Sequence, residues 1–408
     1  MDINESWIEA VLRRKHFEES PVRVVSFETE EGSGKGENYL STIQRIKATV
    51  LLGSGKKKSL KLIAKLQLSS SHAKKMSIKS GVFVKEIAMY RDVFMKMEEL
   101  IREVGDTDEL LWAKCFDFNL YDRIIFEDLS ASGYQMAPRR DQLELEAALF
   151  VVKNLGKFHA LGNVLRERSE IPIDLFGRNG WGKDVEHLKS WVEPMFYEMV
   201  EEIGNWGSEW AEAKERLEKG IPAIWNGIVE YLNYQGKCAV FNHGDTWNNN
   251  ILFKFDEDKK TPIALKFIDF QLTHVGTPAH DLHWFTVSSV TKKTYRDSYD
   301  EIVEAYQKSL SENLRKYGYQ GDIPTLQCIR EELKKYEGIR FWFGILLLPI
   351  VLAEAKDATD FEEFLKDAED AANGLAPQVK KNRFENASDQ IKDNLKQLVR
   401  DAMSNNVF

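Results

Sequence analysis

Cysteine is scarce: 408 residues hold three, Cys115, Cys238 and Cys328, far apart and without a CxxC spacing. Such scatter predicts neither a disulfide framework nor a zinc site, and it suits a reducing compartment. Positive charge is in deficit, with 56 Lys and Arg against 65 Asp and Glu and a formal net charge of −9. A general nucleic-acid binder needs a basic surface to meet phosphates, so that class is excluded. Long apolar runs are missing as well. The longest, FWFGILLLPIVLA from Phe341 to Ala353, contains Pro349 and is too short to span a bilayer. It predicts a buried, kinked helix and no membrane association. The opening MDINESWIEAVLRRKHFEES mixes charge through its apolar positions, which excludes a signal peptide. A cytoplasmic protein is the expectation, and the sequon Asn386-Ala387-Ser388 is then without consequence. The chain has no internal repeat, no low-complexity tract and no GxGxxG motif.

What is present reads as an ordinary globular chain, 43% hydrophobic and 30% charged, long enough for two lobes. The first third is strand-rich. STIQRIKATVLL (Ser41 to Leu52), the turn GSGKKKS and LKLIAKLQL (Leu60 to Leu68) predict a β-hairpin. Val84, Ile87, Tyr90, Arg91 and Phe94 then recur at helical spacing on one face. YDRIIFEDLSASGY (Tyr121 to Tyr134) predicts a short buried strand and a lobe boundary, dividing the chain into residues 1–128 and 129–408. Beyond it the pattern turns helical. Asp141 and Glu144 have capping-box spacing, and Leu145, Ala148, Leu149, Val152, Leu155 and His159 share one face. Helical patterns fill 183–234 and the stretch from Tyr295 onward. Between them ILFKF and PIALKFIDF predict a second hairpin, whose far strand ends at Asp269.

FNHGDTWNNNIL (Phe241 to Leu252) places short polar side chains just before that hairpin. Phosphoryl transfer needs a base for the acceptor hydroxyl, oxygen ligands for Mg²⁺ and a cation for the α- and β-phosphates. Asp245 with Asn250 five residues on, then two strands and Asp269, is the order that protein-kinase-like catalytic loops use. Asp245 is the candidate base, and Asn250 and Asp269 are the candidate metal ligands. Lys65, in an apolar strand where an unpaired lysine is costly, is the candidate phosphate cation, with Glu86 on the following helix as its partner. GSGKGENYLST offers Gly32, Gly34, Gly36 and Ser41 near phosphate. Backbone groups around Glu127 and Leu129 are candidates to read an adenine edge.

NHGDTWNNNIL, IDFQLTHVGTPAHDL, IIFEDLSASGY, FVKEIAMY and LGKFHALG together resemble the insect ecdysteroid-kinase-like proteins, of the choline-kinase and aminoglycoside-phosphotransferase superfamily. The resemblance runs from about Gly36 to beyond Asp281. It implies an α+β, bilobal protein-kinase-like fold with a small β-rich N-lobe and a large, mainly helical C-lobe. It also implies ATP- and Mg²⁺-dependent phosphorylation of a small-molecule hydroxyl, a steroid among the candidates. Asp245 matches the family's base, Asn250 and Asp269 its Mg²⁺ ligands, and Lys65 with Glu86 its phosphate-gripping pair. Trp247 and Asn249 match residues supporting the loop, and Asp281 a position that stabilises it. The proline the family usually has soon after the lysine is missing from IAKLQLSS.

Other readings stay open. His274, His280 and His283 have a spacing that a metal could use, or they are hydrogen-bonding residues of the core. Trp181, Trp191, Phe196, Tyr197, Trp206, Trp210 and Trp225 form either an aromatic wall for a flat substrate or ordinary core. A non-catalytic protein that sequesters a hydrophobic ligand, and a choline or xenobiotic kinase, are the alternative functions. Protein phosphorylation is disfavoured because no APE-like segment follows Asp269.

Overall fold

The computed structural model describes residues 3–13, 22–32, 41–67, 81–120, 123–257, 261–354, 384 and 387–408. Gly34, Gly36 and the sequon's Asn386 lie outside them. Helix α1 (Glu5–Arg13) precedes an antiparallel sheet of β1 (Val22–Glu31), β2 (Ser41–Leu52), β3 (Lys57–Gln67), β4 (Cys115–Asn119) and β5 (Arg123–Glu127), in the order β1-β2-β3-β5-β4. The expected β2–β3 hairpin forms, with Ser41 opposite Gln67 and Leu51 opposite Lys57, although two of the lysines assigned to its turn belong to β3.

Strand alternation gives this sheet two different faces. Leu62, Ala64 and Ile125 pack with Ile8, Val11 and Leu12 of α1 in a small core. Ile124 and Phe126 point the other way, into the main core, and Ile63 packs against it. Lys65 lies two residues after Ile63 and therefore shares that second face. The face is covered by α2 (Val82–Ala88), which passes through a π-helical turn at Met89–Val93 into α3 (Phe94–Glu103). The π-turn widens the helix by one residue and shifts its stripe. Tyr90 and Phe94 stay buried, but Arg91 is exposed and pairs with Asp92, so Arg91 is not on the buried face that the spacing suggested.

After β6 (Gln135–Met136) come α4 (Leu145–Glu167), α5 (Val185–Gly204) and α6 (Ala211–Leu232). From Leu155 to Leu165 every residue of α4 is buried, the polar Lys157, His159 and Asn163 included, so the helix is central as expected. Its start differs from the capping-box reading. Asp141 sits in a 3₁₀ turn, and Glu144 is the N-cap residue, its carboxylate accepting from Thr294 Oγ1 at 2.9 Å. Strand β7 (Val240–Asn242) leads into the polar loop. The predicted hairpin follows as β8 (Ile251–Phe255) and β9 (Pro262–Phe267), and β10 (His274–Gly276) returns to pair with β7. Strand β9 stops two residues short of Asp269. The remainder is α7 (Ala279–Ser289), α8 (Lys292–Lys316), α9 (Leu326–Lys335), α10 (Glu337–Val351) and α11 (Asp389–Ser404). Helix α10 carries the apolar run and is buried, with Pro349 in its last turn. No helix among the described residues is long and apolar enough to cross a membrane.

The cysteines correct the sequence reading. Cys238, just before β7, and Cys328 in α9 form a disulfide across a sequence separation of 90, while Cys115 is free. Local spacing carries no sign of a pair that only the tertiary fold brings together.

Helix α8 packs against α4 at Gly156. A Cβ there would lie 2.8 Å from the Leu310 nitrogen and 2.9 Å from the Tyr306 oxygen, both backbone atoms unable to yield. Gly156→Ala is expected to destabilise the protein by about 1–3 kcal/mol through overpacking, outweighing alanine's helix preference of roughly 1 kcal/mol. Urea unfolding measures this, and a more stable variant would mean the two helices are not in contact here.

Candidate active site

The polar loop is held by the helix that follows it in the fold. Gly244 has φ +88, and a Cβ would lie 2.2 Å from the Leu272 carbonyl oxygen, so both conformation and space demand glycine. The His243 and Gly244 amides donate to the two carboxylate oxygens of Asp281 in α7, at 2.6 and 2.9 Å. His159 Nε2 lies 2.9 Å from the same Asp281 Oδ2, and its Nδ1 lies 2.8 Å from the Tyr306 hydroxyl. Burial opposes the Asp281 charge, but His159 and the neighbouring imidazoles hold its carboxyl well below the usual range. His243 donates from Nε2 to the Ile268 carbonyl at 3.0 Å, which leaves Nδ1 to accept from the Asp245 amide at 3.2 Å. Burial lowers its pKa to about 4, so His243 is neutral near pH 7 and buttresses the loop.

Beyond Gly244 a 3₁₀ turn, Asn248–Asn250, brings Asn250 back onto Asp245. Asn250 Nδ2 donates to Asp245 Oδ2 at 2.8 Å and to the Asp245 carbonyl at 3.0 Å. The D-x₄-N spacing is thus one turn closed by its own side chains. Burial, then the charge of Asp269, pushes the Asp245 carboxyl well above the usual range, with Asn250 and Lys65 opposing.

Lys65 meets two carboxylates. Its Nζ lies 2.6 Å from Glu86 Oε2 and 2.7 Å from Asp269 Oδ1, joining the β-sheet, helix α2 and the segment after β9. Burial disfavours the ammonium, yet Asp269 and Glu86 outweigh it and raise its pKa. Burial lifts Glu86 to about 7, with Lys65 pulling the other way. Asp269 takes left-handed backbone angles, φ 65 and ψ 65, uncommon for a non-glycine residue. The next residue, Phe270, is fully buried, with its ring centroid 4.7 Å from both Phe94 and His243 and 6.0 Å from Tyr90. That ring cluster seats the π-turn and α3 on the polar loop.

Ser41 is buried two rungs from Lys65, since Ser41 faces Gln67 where Ile43 faces Lys65. The Glu127 carboxylate is turned toward β4, accepting from the Lys114 amide at 2.8 Å. Leu129 is buried at the start of a 3₁₀ turn capped by Asp128, whose Oδ2 lies 2.9 Å from Arg45 Nε. Trp247 and Asn249 are buried in the loop. The three histidines bond backbone carbonyls: His274 to Leu272, His280 to Gly244 and His283 to Leu333. Among the described residues no cluster of His, Cys, Asp and Glu suits a metal. The aromatic residues do not form one wall. Trp181 joins Trp342, Trp284 and His280, at 5.3, 5.8 and 6.2 Å between centroids, whereas Trp206 and Trp210 pair separately and Tyr197 is exposed. Sequence reasoning gave Tyr231 and Arg45 no role, for neither lies in a spaced motif.

The arrangement sets one carboxylate ready to take a proton beside two further oxygen donors and a fixed ammonium. Residues 35–319 match the ecdysteroid kinase-like family, well over half of the chain. Nothing among curated proteins matches. Solved structures of remote similarity include a GDP and kanamycin complex of APH(2")-IIia, at 11% identity over 86% of this chain and 94% of that one, with a TM-score of 0.36. An aminoglycoside phosphotransferase, APH(3'')-Id from Streptomyces rimosus, shares 13% identity over 78% and 92%, with a TM-score of 0.32. A glucosamine kinase shares 13% over 98% and 83%, with a TM-score of 0.33.

Asp281→Asn is expected to cost about 3–5 kcal/mol near neutral pH, because the substitution leaves buried donors without their anion. The folded pKa of Asp281 is depressed, so its contribution is complete above the unfolded value near 4 and is lost as pH falls through the folded one. The stability gap between wild type and variant, followed by chemical unfolding, should hold steady from pH 7 to about pH 4 and narrow below it. A gap that widened on acidification would contradict this.

Proposed function

Because the chain belongs to the ecdysteroid kinase-like family, and is a phosphotransferase with an alcohol group as acceptor, we propose that it moves the γ-phosphate of ATP to a hydroxyl of a small lipophilic molecule such as an ecdysteroid. The observation that carries this reading is the meeting of Lys65, Glu86 and Asp269 beside the closed Asp245–Asn250 turn. We assign residues 1–128 to the nucleotide lobe and 129–408 to the catalytic and acceptor lobe.

The donor set suits a hard cation. The Asn250 amide nitrogen is committed to Asp245, which leaves its Oδ1, the atom a cation would use, outside that bond. Asn250 and Asp269 would hold Mg²⁺, which when bound neutralises phosphate charge. Lys65, oriented by Glu86, grips the α- and β-phosphates, with Ser41 at the same end of the sheet. The backbone around Glu127 and Leu129 takes the base. Asp245 accepts the proton of the acceptor hydroxyl as its oxygen bonds to the γ-phosphorus and ADP departs. A raised Asp245 pKa suits a group that must capture a proton during transfer. The Trp181 ring group next to His280 supports a lipophilic acceptor near the loop. A cytoplasmic location is part of the proposal.

Mass spectrometry of a steroid and small-alcohol panel, incubated with protein, Mg²⁺ and ATP, tests the reading. Wild type should add one phosphate to one class of acceptor, and Asp245→Asn should reduce the rate by about 10²–10⁴-fold. Choline as the species that gains phosphate would replace the acceptor class, and an unaltered but bound ligand would favour sequestration. With an acceptor in hand, kcat/KM should rise with pH along an acid limb whose midpoint lies above the ordinary carboxylate value near 4. A midpoint at or below that value would contradict the environment assigned to Asp245.

A further inference from the structure

The Gly244–Asp245 peptide carries the Cα of the proposed base, and an imidazole engages each of its polar ends. His243 Nδ1 accepts from the Asp245 amide at 3.2 Å, and His280 Nε2 lies 2.9 Å from the Gly244 carbonyl. The preceding peptide is held as well, its N–H on Asp281 and its carbonyl accepting from Thr273 Oγ1 at 3.1 Å.

The direction of every bond leading to His280 is determined. A carbonyl only accepts, so His280 Nε2 carries the proton and its Nδ1 must accept. The Tyr231 hydroxyl supplies the hydrogen bond to Nδ1. Tyr231 in turn accepts from Asn179 Nδ2 at 2.7 Å. The Asn179 amide cannot be flipped, because its Oδ1 accepts from the Trp181 amide at 3.0 Å. His274 fits the same order. Its Nδ1 donates to the Leu272 carbonyl, leaving Nε2 to accept from Asn179 Nδ2 at 3.4 Å. His280 and His274 are both buried, and burial lowers the pKa of each, in keeping with neutral rings. The outer end of this chain, at Asn179 and His274, lines a cavity of about 120 Å³.

We propose that His280, oriented by Tyr231, is a positioning residue that fixes the Gly244–Asp245 peptide and so aims the Asp245 carboxylate at the acceptor hydroxyl. This rests on the reading of Asp245 as the base. Gly244 has no side chain to resist rotation, so its left-handed conformation is maintained by its partners alone. His280 acts through the backbone and touches no reacting atom.

Two arms test the proposal on the full chain. In the kinetic arm, with the acceptor found by the panel, His280→Leu and Tyr231→Phe should each lower kcat by about 10–100-fold, with KM for ATP changed less than about twofold, as for misaimed groups. His280→Gln, whose side-chain amide can donate to the same carbonyl, should recover most of the loss. Variants that lose thermal stability but keep wild-type kcat, or a glutamine no better than leucine, would overturn it. Tyr231→Phe guards against a His280→Leu that does not fold. In the second arm, ¹⁵N-histidine NMR of wild type, with His280 assigned by its absence in His280→Gln, should show a neutral ring protonated at Nε2. A ring protonated at Nδ1, or an imidazolium at pH 7, would overturn the assignment even in an active enzyme. Wild type that phosphorylates nothing would count against the base role of Asp245, while the NMR arm still decides the His280 bond.

Discussion

A buried ammonium has to find anions, and where Lys65 finds them arranges much of this molecule. Glu86 comes from the helix laid over the sheet, and Asp269 from the segment that leaves the second hairpin. Three parts of the chain, as much as 204 residues apart in sequence, therefore share one charge centre. An ion pair of this kind is poor evidence for net stability, since desolvation offsets much of the attraction. Its value is geometric: one ammonium draws β3, α2 and the Asp269 turn to a single point. Phe270 reinforces this by turning its ring into Phe94 and His243 immediately after Asp269.

The loop that faces this centre uses two carboxylates in opposite electrostatic roles. Asp281 accepts two backbone amides and lies beside His159, and it is held ionised although fully buried. Asp245 has one amide donor and a like charge in Asp269, and it is pushed toward protonation. Two carboxyl groups on neighbouring segments thus separate into a permanent anion that shapes the loop and a titratable one that is available for chemistry. The division follows from the neighbours: His159 and the imidazoles around Asp281 lower its pKa against burial, whereas at Asp245 burial and the Asp269 charge act in the same direction.

Local chemistry made part of this legible in the sequence. Lys65 stood out because lysine is costly in an apolar strand, and Asp245 with Asn250 because that spacing, followed by two strands and Asp269, matches what phosphoryl transfer asks of a loop. The two hairpins and the central helix followed from periodicity and turn residues. What escaped depends on distance or on small backbone adjustments. Cys238 and Cys328, 90 residues apart in sequence, meet only once α9 has packed into the fold. Arg91 left its expected face because a π-turn inserts one residue, and no residue type announces a π-turn. Asp141 and Glu144 had capping-box spacing, but Glu144 proved more useful to Thr294 than to its own helix start. The tryptophans, close together in sequence, separated because Trp181 lies in the turn before α5 and Trp206 and Trp210 in the α5–α6 connection, with different neighbours.

The backbone strain of the site is concentrated where these networks converge. Gly244 and Asp269 are both left-handed, and a Cβ on Gly244 would strike the carbonyl of Leu272, three residues after Asp269. Such conformations persist only where surroundings over-determine them. Here the surroundings are the Asp281 carboxylate and the His280 imidazole, both from α7, and the Lys65 ammonium from β3. If Asp269 takes a metal ion as proposed, the cation and Lys65 compete for one carboxylate, and the phosphates that arrive with the cation offer Lys65 another anion. The ammonium then exchanges one partner for another while keeping Glu86. Under that proposal a nucleotide would enter without leaving Lys65 unpaired, which is the condition that a buried lysine imposes from the outset.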